Sequence, residues 1–387
     1  MIITAWTGVE VRAMRVDALR LTQREFAQLL GYTEAVVRKW ESRRTTITLT
    51  RQWAAAMDTM YRRLDEDQRQ RFLAALRTDC AVTTQGDPTV AQVEARLPDL
   101  RRALDTDDAP DDGPIRPIPR LHAAVAAAIY DRLNSNYLRL AHELPALLVE
   151  LHRARAEYTD HERGEIDRLL VQAYRAADAV ADKYGHYDLS ARIITMLRGA
   201  ANRTGDDLLL AATTYVRTET FFVNGQLATG RKLLERAADT IELCGSMEAA
   251  ATFGALHMRA AVVAARELRP DDARAHLSEA ENIARQVPEN VYVGTAFGMS
   301  SVRIHQVSLG VELGDIGAAL SAARNWEPPE VIPAERRSHF YIDAARAYLQ
   351  AGRPEEAYGS VRTARSIAPQ HTTNHPHVKD LLAQLNC

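Results

Sequence analysis

Four short turn sequences recur about every 40 residues in the second half of this 387-residue chain. They are VNGQLATG around Gly225, LRPDDA ending at Ala273, ELGDIGAA around Gly314 and AGRPEEA around Gly352. Each separates two stretches of helical periodicity. A helical hairpin of this length cannot bury its apolar face alone, so a run of them must stack neighbour on neighbour into one elongated core. That recurrence excludes most folds and predicts an α-solenoid over residues 118–387.

The last unit is the clearest: FYIDAARAYLQAGRPEEAYGSVRTARSIAP. Small Ala345 and aromatic Tyr348 lie on its first helix and Gly352 in the turn. Ala357 and Ala364 lie on its second helix, and Pro369 stands at the end. The pattern resembles a tetratricopeptide repeat, in which small residues let two antiparallel helices approach closely. The unit at 250–288 agrees in part, through Ala261, Ala273, Ala280 and Pro288; those at 207–243 and 295–327 are looser. Two hairpins without the signature are expected at 119–156 and 160–203, giving five or six units. Helix formers dominate the whole chain and β-branched runs are few, so the expected fold class is all-α.

Between this region and the N-terminus, DTDDAPDDGPIRPIPR (105–120) is acidic and rich in proline and glycine. Such a composition predicts a linker. The expected division is an N-terminal head with its following helices at 1–80, a partly ordered connector and linker at 81–117, and repeats at 118–387.

In the head, LTQREFAQLLGYTEAVVRKWESRR (21–44) holds two short helical patterns broken by Gly31. Thr22 caps the first, with Glu25 completing a capping box, and Thr33 caps the second. On the second helix Val36, Val37 and Trp40 gather on one side, while Glu34, Ala35, Arg38, Lys39 and Ser42 gather on the other. Helices are expected before this pair, from Val9 to about Leu19, and after it, at about 49–64 and 66–77.

The string Gln23-x3-Ala27-x3-Gly31-x5-Val37-x2-Trp40-Glu41 resembles the phage repressor and Cro family, also called the XRE family, over about residues 9–64. The segment VRAMRVDALRLTQ is one residue longer than that family's first helix and turn. The resemblance implies that Gln23 binds phosphate and that Thr33, Glu34 and Ala35 meet backbone and bases of double-stranded DNA. Lys39 then reaches a base edge. Base-edge chemistry agrees: Glu34 can accept from a cytosine amine, Ala35 can touch a thymine methyl and Lys39 can donate to guanine. Arg38, Arg43 and Arg44 suit phosphates. Trp40 and Val37 belong to the core, and Glu41 to a structural ion pair.

Charge supports a head that meets phosphate. Residues 1–55 carry nine basic and five acidic residues, a net +4, whereas the whole chain is −3 and the remainder therefore −7. Arginine abundance alone is not functional evidence, because lysine supplies only four of the 48 basic residues.

A head of this type joined to tetratricopeptide-like repeats resembles the peptide-responsive regulators of Gram-positive bacteria and the repeat-bearing XRE regulators of high-GC bacteria. That resemblance implies a homodimer and a concave surface for a peptide or other small-molecule effector. Repeat phasing assigns to that surface Tyr215, Glu219 and Phe222, with Asn224 at the rim, then Met258, Val262 and Arg266, then His339, Ile342 and Arg346.

The remaining features argue for exclusion. Cys80, Cys244 and Cys387 are odd in number and far apart, against a disulfide framework. No apolar run reaches the ~20 residues of a membrane span, and MIITAWTGVEVR does not read as a signal peptide, so a cytoplasmic protein without membrane contact is expected. His371, His375 and His377 in HTTNHPH are irregularly spaced and interrupted by Pro376; they read as a loop before a capping helix, and no metal is expected. No phosphate loop or dinucleotide glycine fingerprint occurs, so no cofactor and no enzymatic activity are expected. The alternative to a regulator is a repeat adaptor whose head holds protein, which would show acidic or apolar cover over residues 23–44. An enzyme would need a deep pocket of convergent titratable groups.

Overall fold

The computed structural model describes residues 6–43, 47–82, 88–243 and 245–385, with no side-chain description at 77–82, 88 and 160. Arg44, Cys244 and Cys387 lie outside the described residues. The chain forms two compact units, one of residues 1–87 with 383–387, the other of residues 88–382.

The N-terminal unit holds α1 (Gly8–Ala13), α2 (Gln23–Leu30), α3 (Glu34–Arg43), α4 (Arg51–Arg63) and α5 (Glu66–Val82). α1 starts on a capping box between Thr7 and Glu10 and runs into a π-helical turn over Met14–Ala18. A π-bulge is how a helix takes in one extra residue, so the surplus residue of the sequence is absorbed here. Arg20 then turns the chain at φ +56°. The Arg71 guanidinium donates to the carbonyls of Asp17 and Ala18 at 3.1 Å each, where the π turn ends. The core is aromatic: Trp6, Phe26, Trp40 and Phe72 are all at most 2% exposed. Trp6 is fixed by its indole N–H donating to Asp58 at 2.7 Å.

The second unit begins earlier than the sequence suggests. α6 (Pro88–Glu94) and α7 (Leu97–Asp105) belong to it, with Val93, Leu97, Leu100 and Leu104 in its core. Residues 106–117 are not a free linker. Ile115 packs on the same core, the Arg116 backbone and guanidinium donate to Glu150 at 2.5–2.9 Å, and Arg153 donates to the Pro114 carbonyl. The correction has a simple cause. Composition averaged over 105–117 hides one apolar side chain, Ile115, that an extended Pro-rich segment can lay against the core.

Six helical hairpins follow: α8 (Ile118–Leu133) with α9 (Tyr137–Glu157), α10 (Asp160–Lys183) with α11 (Tyr187–Thr204), and α12 (Asp207–Asn224) with α13 (Leu227–Asp239). Then come α14 (Met247–Arg266) with α15 (Pro270–Ala284), α16 (Met299–Glu312) with α17 (Ile316–Ala323), and α18 (Ala334–Gln350) with α19 (Pro354–Ile367). α20 (Pro369–Asn374) and α21 (Pro376–Leu385) close the chain. Every hairpin turn contains one left-handed residue. Four are glycines, Gly185, Gly225, Gly314 and Gly352, but Ser135 and Leu268 take the same conformation at φ +60° and +59°.

Small residues set the spacing. α14 buries Ala251, Ala255, Ala260, Ala261, Ala264 and Ala265. A Cβ on Gly310 of α16 would stand 2.8 Å from the Ala319 backbone nitrogen of α17, closer than real contacts allow. The first helices of successive hairpins line one side of the stack, α8 on α10, α12 on α14, α14 on α16 and α16 on α18. α18 also reaches α8, so the last hairpin meets the first. Asn374 donates to the Lys183 carbonyl, and the Leu138 backbone N–H donates to Gln370, across that seam.

The expected hairpin at 295–327 departs from helix at its start. Residues 290–297 form an antiparallel pair, β1 (Asn290–Tyr292) and β2 (Thr295–Phe297), turned by Val293 and Gly294 at φ +46° and +79°. Two successive positive φ values make a two-residue turn suited to strand twist. Phe297 is fully buried against Gly254 of α14, where any side chain would collide with its ring.

Candidate nucleic-acid interface and ligand cavity

α2 and α3 are built as a pair. Thr22 accepts from the Glu25 N–H at 3.2 Å while Glu25 accepts from the Thr22 N–H at 2.8 Å, closing the capping box that lowers the Glu25 pKa. Gly31 ends α2 in the left-handed region at φ +74°, where a side chain would cost roughly 1 kcal/mol or more. Val37 and Trp40 are buried and Val36 half-buried; Trp40 packs against Tyr32 and Trp53 with centroids 5.7 and 5.0 Å away. That anchors one face of α3. Thr33, Ala35, Arg38, Lys39, Ser42 and Arg43 are exposed on the helix and its entry, and Glu34 is half-exposed.

Glu41 has the structural part expected of it. Its carboxylate, nearly buried, takes a bidentate pair from Arg15 at 2.6 and 2.9 Å and a third bond from the Gln23 amide at 2.7 Å. Gln23 is thus positioned by Glu41. Its NH2 group carries a second hydrogen that this bond does not use. Glu34 and Arg38 pair at 2.6 Å across one helical turn. The pair is well exposed, so it is worth ~0.5 kcal/mol at most and opposes release of either group only weakly. Lys39 has no side-chain partner among the described residues.

The second unit encloses a polar cavity of about 540 Å³ on the side lined by the first helices. Seven of the ten groove residues assigned by repeat phasing line it: Tyr215, Glu219, Phe222, Val262, Arg266, His339 and Arg346. The other three do not. Met258 and Ile342 are buried at 0% and 1%, one helical step off the cavity face, and Asn224 is exposed at the end of α12. Phasing by turns fixes where a helix begins but not its rotation, and a rotational error moves a side chain from groove to core.

The cavity charges are interlocked. The Arg259 guanidinium pairs with Glu219 and lies 4.7 Å from the centre of the Phe222 ring. Arg266 covers the same ring at 4.4 Å. Glu312 accepts from Arg346 at 2.9 Å and lies 3.3 Å from Arg266. Arg336 donates to the Tyr215 hydroxyl at 3.0 Å. Burial raises the Glu335 pKa, but Lys183, His371, Arg336 and Arg132 together outweigh it and bring the carboxyl down to about 2.

One element was invisible to the repeat reading. The turn of the β-hairpin crosses to the first two repeats, where Arg132 donates to the Gly294 carbonyl at 2.8 Å. Arg175 donates to the Val293 carbonyl at 2.8 Å and the Thr295 hydroxyl at 2.6 Å. The sequence signal was VYVGTAF (291–297), a short run of β-branched and aromatic residues about one glycine.

Residues 11–55 match the Helix-turn-helix family model. The N-terminal unit therefore holds a helix-turn-helix, with α3 as its second helix. The match covers the head alone. No curated protein matches the chain. No helix among the described residues is long and apolar enough to cross a membrane.

Proposed function

We propose that this protein is a sequence-specific, dimeric DNA-binding transcription regulator whose repeat body binds a small effector. The observation that carries the DNA half is the asymmetry of α3. Val37 and Trp40 pin one face to the core, and the opposite face presents Ala35, Arg38, Lys39, Ser42 and Arg43 to solvent. With Arg24 on α2 also exposed, Arg24, Arg38, Lys39 and Arg43 give this face basic cover, which favours a duplex over the acidic or apolar cover an adaptor would need. In this docking, Gln23 and the arginines hold phosphates, and Thr33, Glu34, Ala35 and Lys39 meet the major groove. One recognition helix spans too few base pairs for genomic selectivity. Two heads on half-sites about one helical turn apart supply the rest.

The effector half rests on the cavity, whose size falls within the roughly 300–1,000 Å³ usual for small ligands. Arg132 and Arg175 already hold backbone carbonyls of the turn residues Gly294 and Val293, and carbonyls of this kind are what a peptide ligand would offer. Tetratricopeptide-like stacking suits such a role, because small shifts at each interface add up along the superhelix.

Genome-wide mapping of bound DNA, followed by gel-shift titration of the recovered fragments, tests the reading. A specific duplex should be bound with a steep loss of affinity as salt rises, since arginine and lysine contacts release counterions. Equal binding to any duplex would sink sequence-specific reading. Light scattering showing one chain per half-site pair would remove the dimer.

A further inference from the structure

We propose that His339, His371 and His375 form a binding site for one divalent transition-metal ion of the zinc type. The tail sequence contains two of these residues at a spacing that suggests nothing. The fold adds the third, from α18, and brings one ring nitrogen of each within 4.8 Å of the others. A tetrahedral ion with nitrogens at about 2.1 Å sets its ligands ~3.4 Å apart. The rings need to close by about an ångström.

Three observations point to a ligand rather than to ordinary packing. First, Nε2 of His371 and Nδ1 of His375 are buried with no hydrogen-bond partner among the described residues, an arrangement that is unfavourable if nothing fills it. Second, the tautomer of His371 is fixed. The Ser338 hydroxyl donates its single hydrogen to the Glu335 carbonyl at 2.7 Å, so at 2.7 Å from His371 Nδ1 it can only accept. Nδ1 therefore carries the proton and Nε2 the free lone pair, the state in which outer-sphere bonds hold metal-ligating imidazoles. Third, the three rings lie against one another, with the His339 centroid 4.4 Å from His371 and 5.3 Å from His375, and His371 5.2 Å from His375.

The charges around the cluster are mixed. Lys183 and Arg336 oppose a cation. Glu335, 3.9 Å from His339 Nε2, offsets them, as does Asp182, 3.0 Å from Lys183. His339 and His375 line the 540 Å³ cavity, which leaves a fourth position open to Glu335, water or a cavity ligand. Three imidazoles with an open position are the donor set of zinc and its neighbours rather than of magnesium or calcium. Bound there, the ion would tie α18 to α20 beside the Asn374–Lys183 contact that joins the ends of the superhelix.

The test uses the full-length protein, stripped with a chelator and titrated with ZnCl2 by calorimetry at neutral pH. One equivalent should bind, and the melting temperature of the body should rise with it. His339→Gln and His375→Gln, checked for folding by circular dichroism, should each weaken Zn2+ at least about tenfold. Ser338→Ala should weaken it by roughly 10–100-fold through loss of the tautomer bond. His377→Gln, outside the trio, should bind as the parent does. Loading the unaltered protein with Co2+ needs no variant and should give the visible absorption of a four-coordinate nitrogen site. Sub-stoichiometric Zn2+ with an octahedral Co2+ spectrum overturns the proposal, and so does undiminished binding in the double His339→Gln, His375→Gln variant. None of these readouts involves DNA, so the proposed regulator could fail while the site stands.

Discussion

Lys39, Arg38 and Arg43 of the N-terminal unit point into solvent, whereas Arg132 and Arg175 of the second unit are buried and grip carbonyls inside it. The cores differ in the same sense. The head packs a few large aromatic rings, among them Trp6, Trp40 and Phe72, around short helices. The body packs alanines between long ones and leaves a polar cavity along their shared side. A small domain buries a smaller fraction of its surface than a large one, and bulky rings help it to fill its core. A stacked repeat gains its buried area from many close helix contacts and can leave an interior lined with charge. The contrast teaches that one unit displays its basic side chains on an outer helix face, whereas the other gathers its charges around an inner cavity.

Removing the ring that seats the β-hairpin should have the largest effect. Phe297→Ala vacates the site over Gly254 and should cost the body about 3–5 kcal/mol. Chemical denaturation followed by circular dichroism should show the body transition moving alone, while Trp40 fluorescence reports the head unchanged. Movement of both transitions together would break the comparison.

The next effect is a pH dependence confined to the body. Burial raises the Asp178 carboxyl to about 8, with Asp182 and Glu219 adding, while Lys183 and the Ser190 hydroxyl oppose; Arg132 and Arg175 also face it. A carboxyl protonated in the folded state but ionised in the unfolded one makes stability fall as pH rises. The window runs from the unfolded value near 4 to about 8. The decline should reach a few kcal/mol, and Asp178→Asn should flatten it. A slope that survives the substitution assigns it to another group.

On the head, Lys39→Ala should weaken specific DNA binding by roughly 1–3 kcal/mol and relax preference at one base position, whereas Arg43→Ala should weaken all sequences about equally. Fluorescence anisotropy on a panel of single-base operator variants separates the two. Equal behaviour of both substitutions would show that α3 lies in the groove in another register.

The smallest effect sharpens the repeat side. Leu268 is largely exposed and holds the left-handed turn position that glycine holds in four other hairpins. Leu268→Gly should stabilise the body by about 1 kcal/mol, read as a rise in melting temperature. A fall would mean that Leu268 serves a contact its exposure does not suggest.

Local rules made much of the molecule legible. The capping box at Thr22, the left-handed Gly31, the burial of Val37 and Trp40 and the ion pair of Glu41 follow from residues within a few turns of each other. The hairpin period is local in the same sense. Even the one-residue surplus before α2 was visible, although its resolution as a π turn over Met14–Ala18 was not. What depended on helix rotation was less secure. Met258 and Ile342 fell in the core rather than the groove, because a repeat's turn sets where its helices start and not which side chains face inward. The 105–117 segment misled for a related reason: composition records average polarity, while Ile115 and Arg116 act as individual side chains against α9.

The superhelix closing on itself, with α18 against α8, was decided by tertiary structure alone. That closure sums small rotations over the five junctions between successive hairpins, and no single junction reveals the total. It carries the β-hairpin turn to Arg132 and Arg175. The packing of α20 beside α18 carries His371 and His375 to His339. Periodicity and capping chemistry are written in residues near one another in the chain, so the sequence by itself determined an all-helical molecule with a helix-turn-helix and stacked hairpins. Which distant side chains share a cavity depends on the accumulated geometry between them, and that only the folded chain decided.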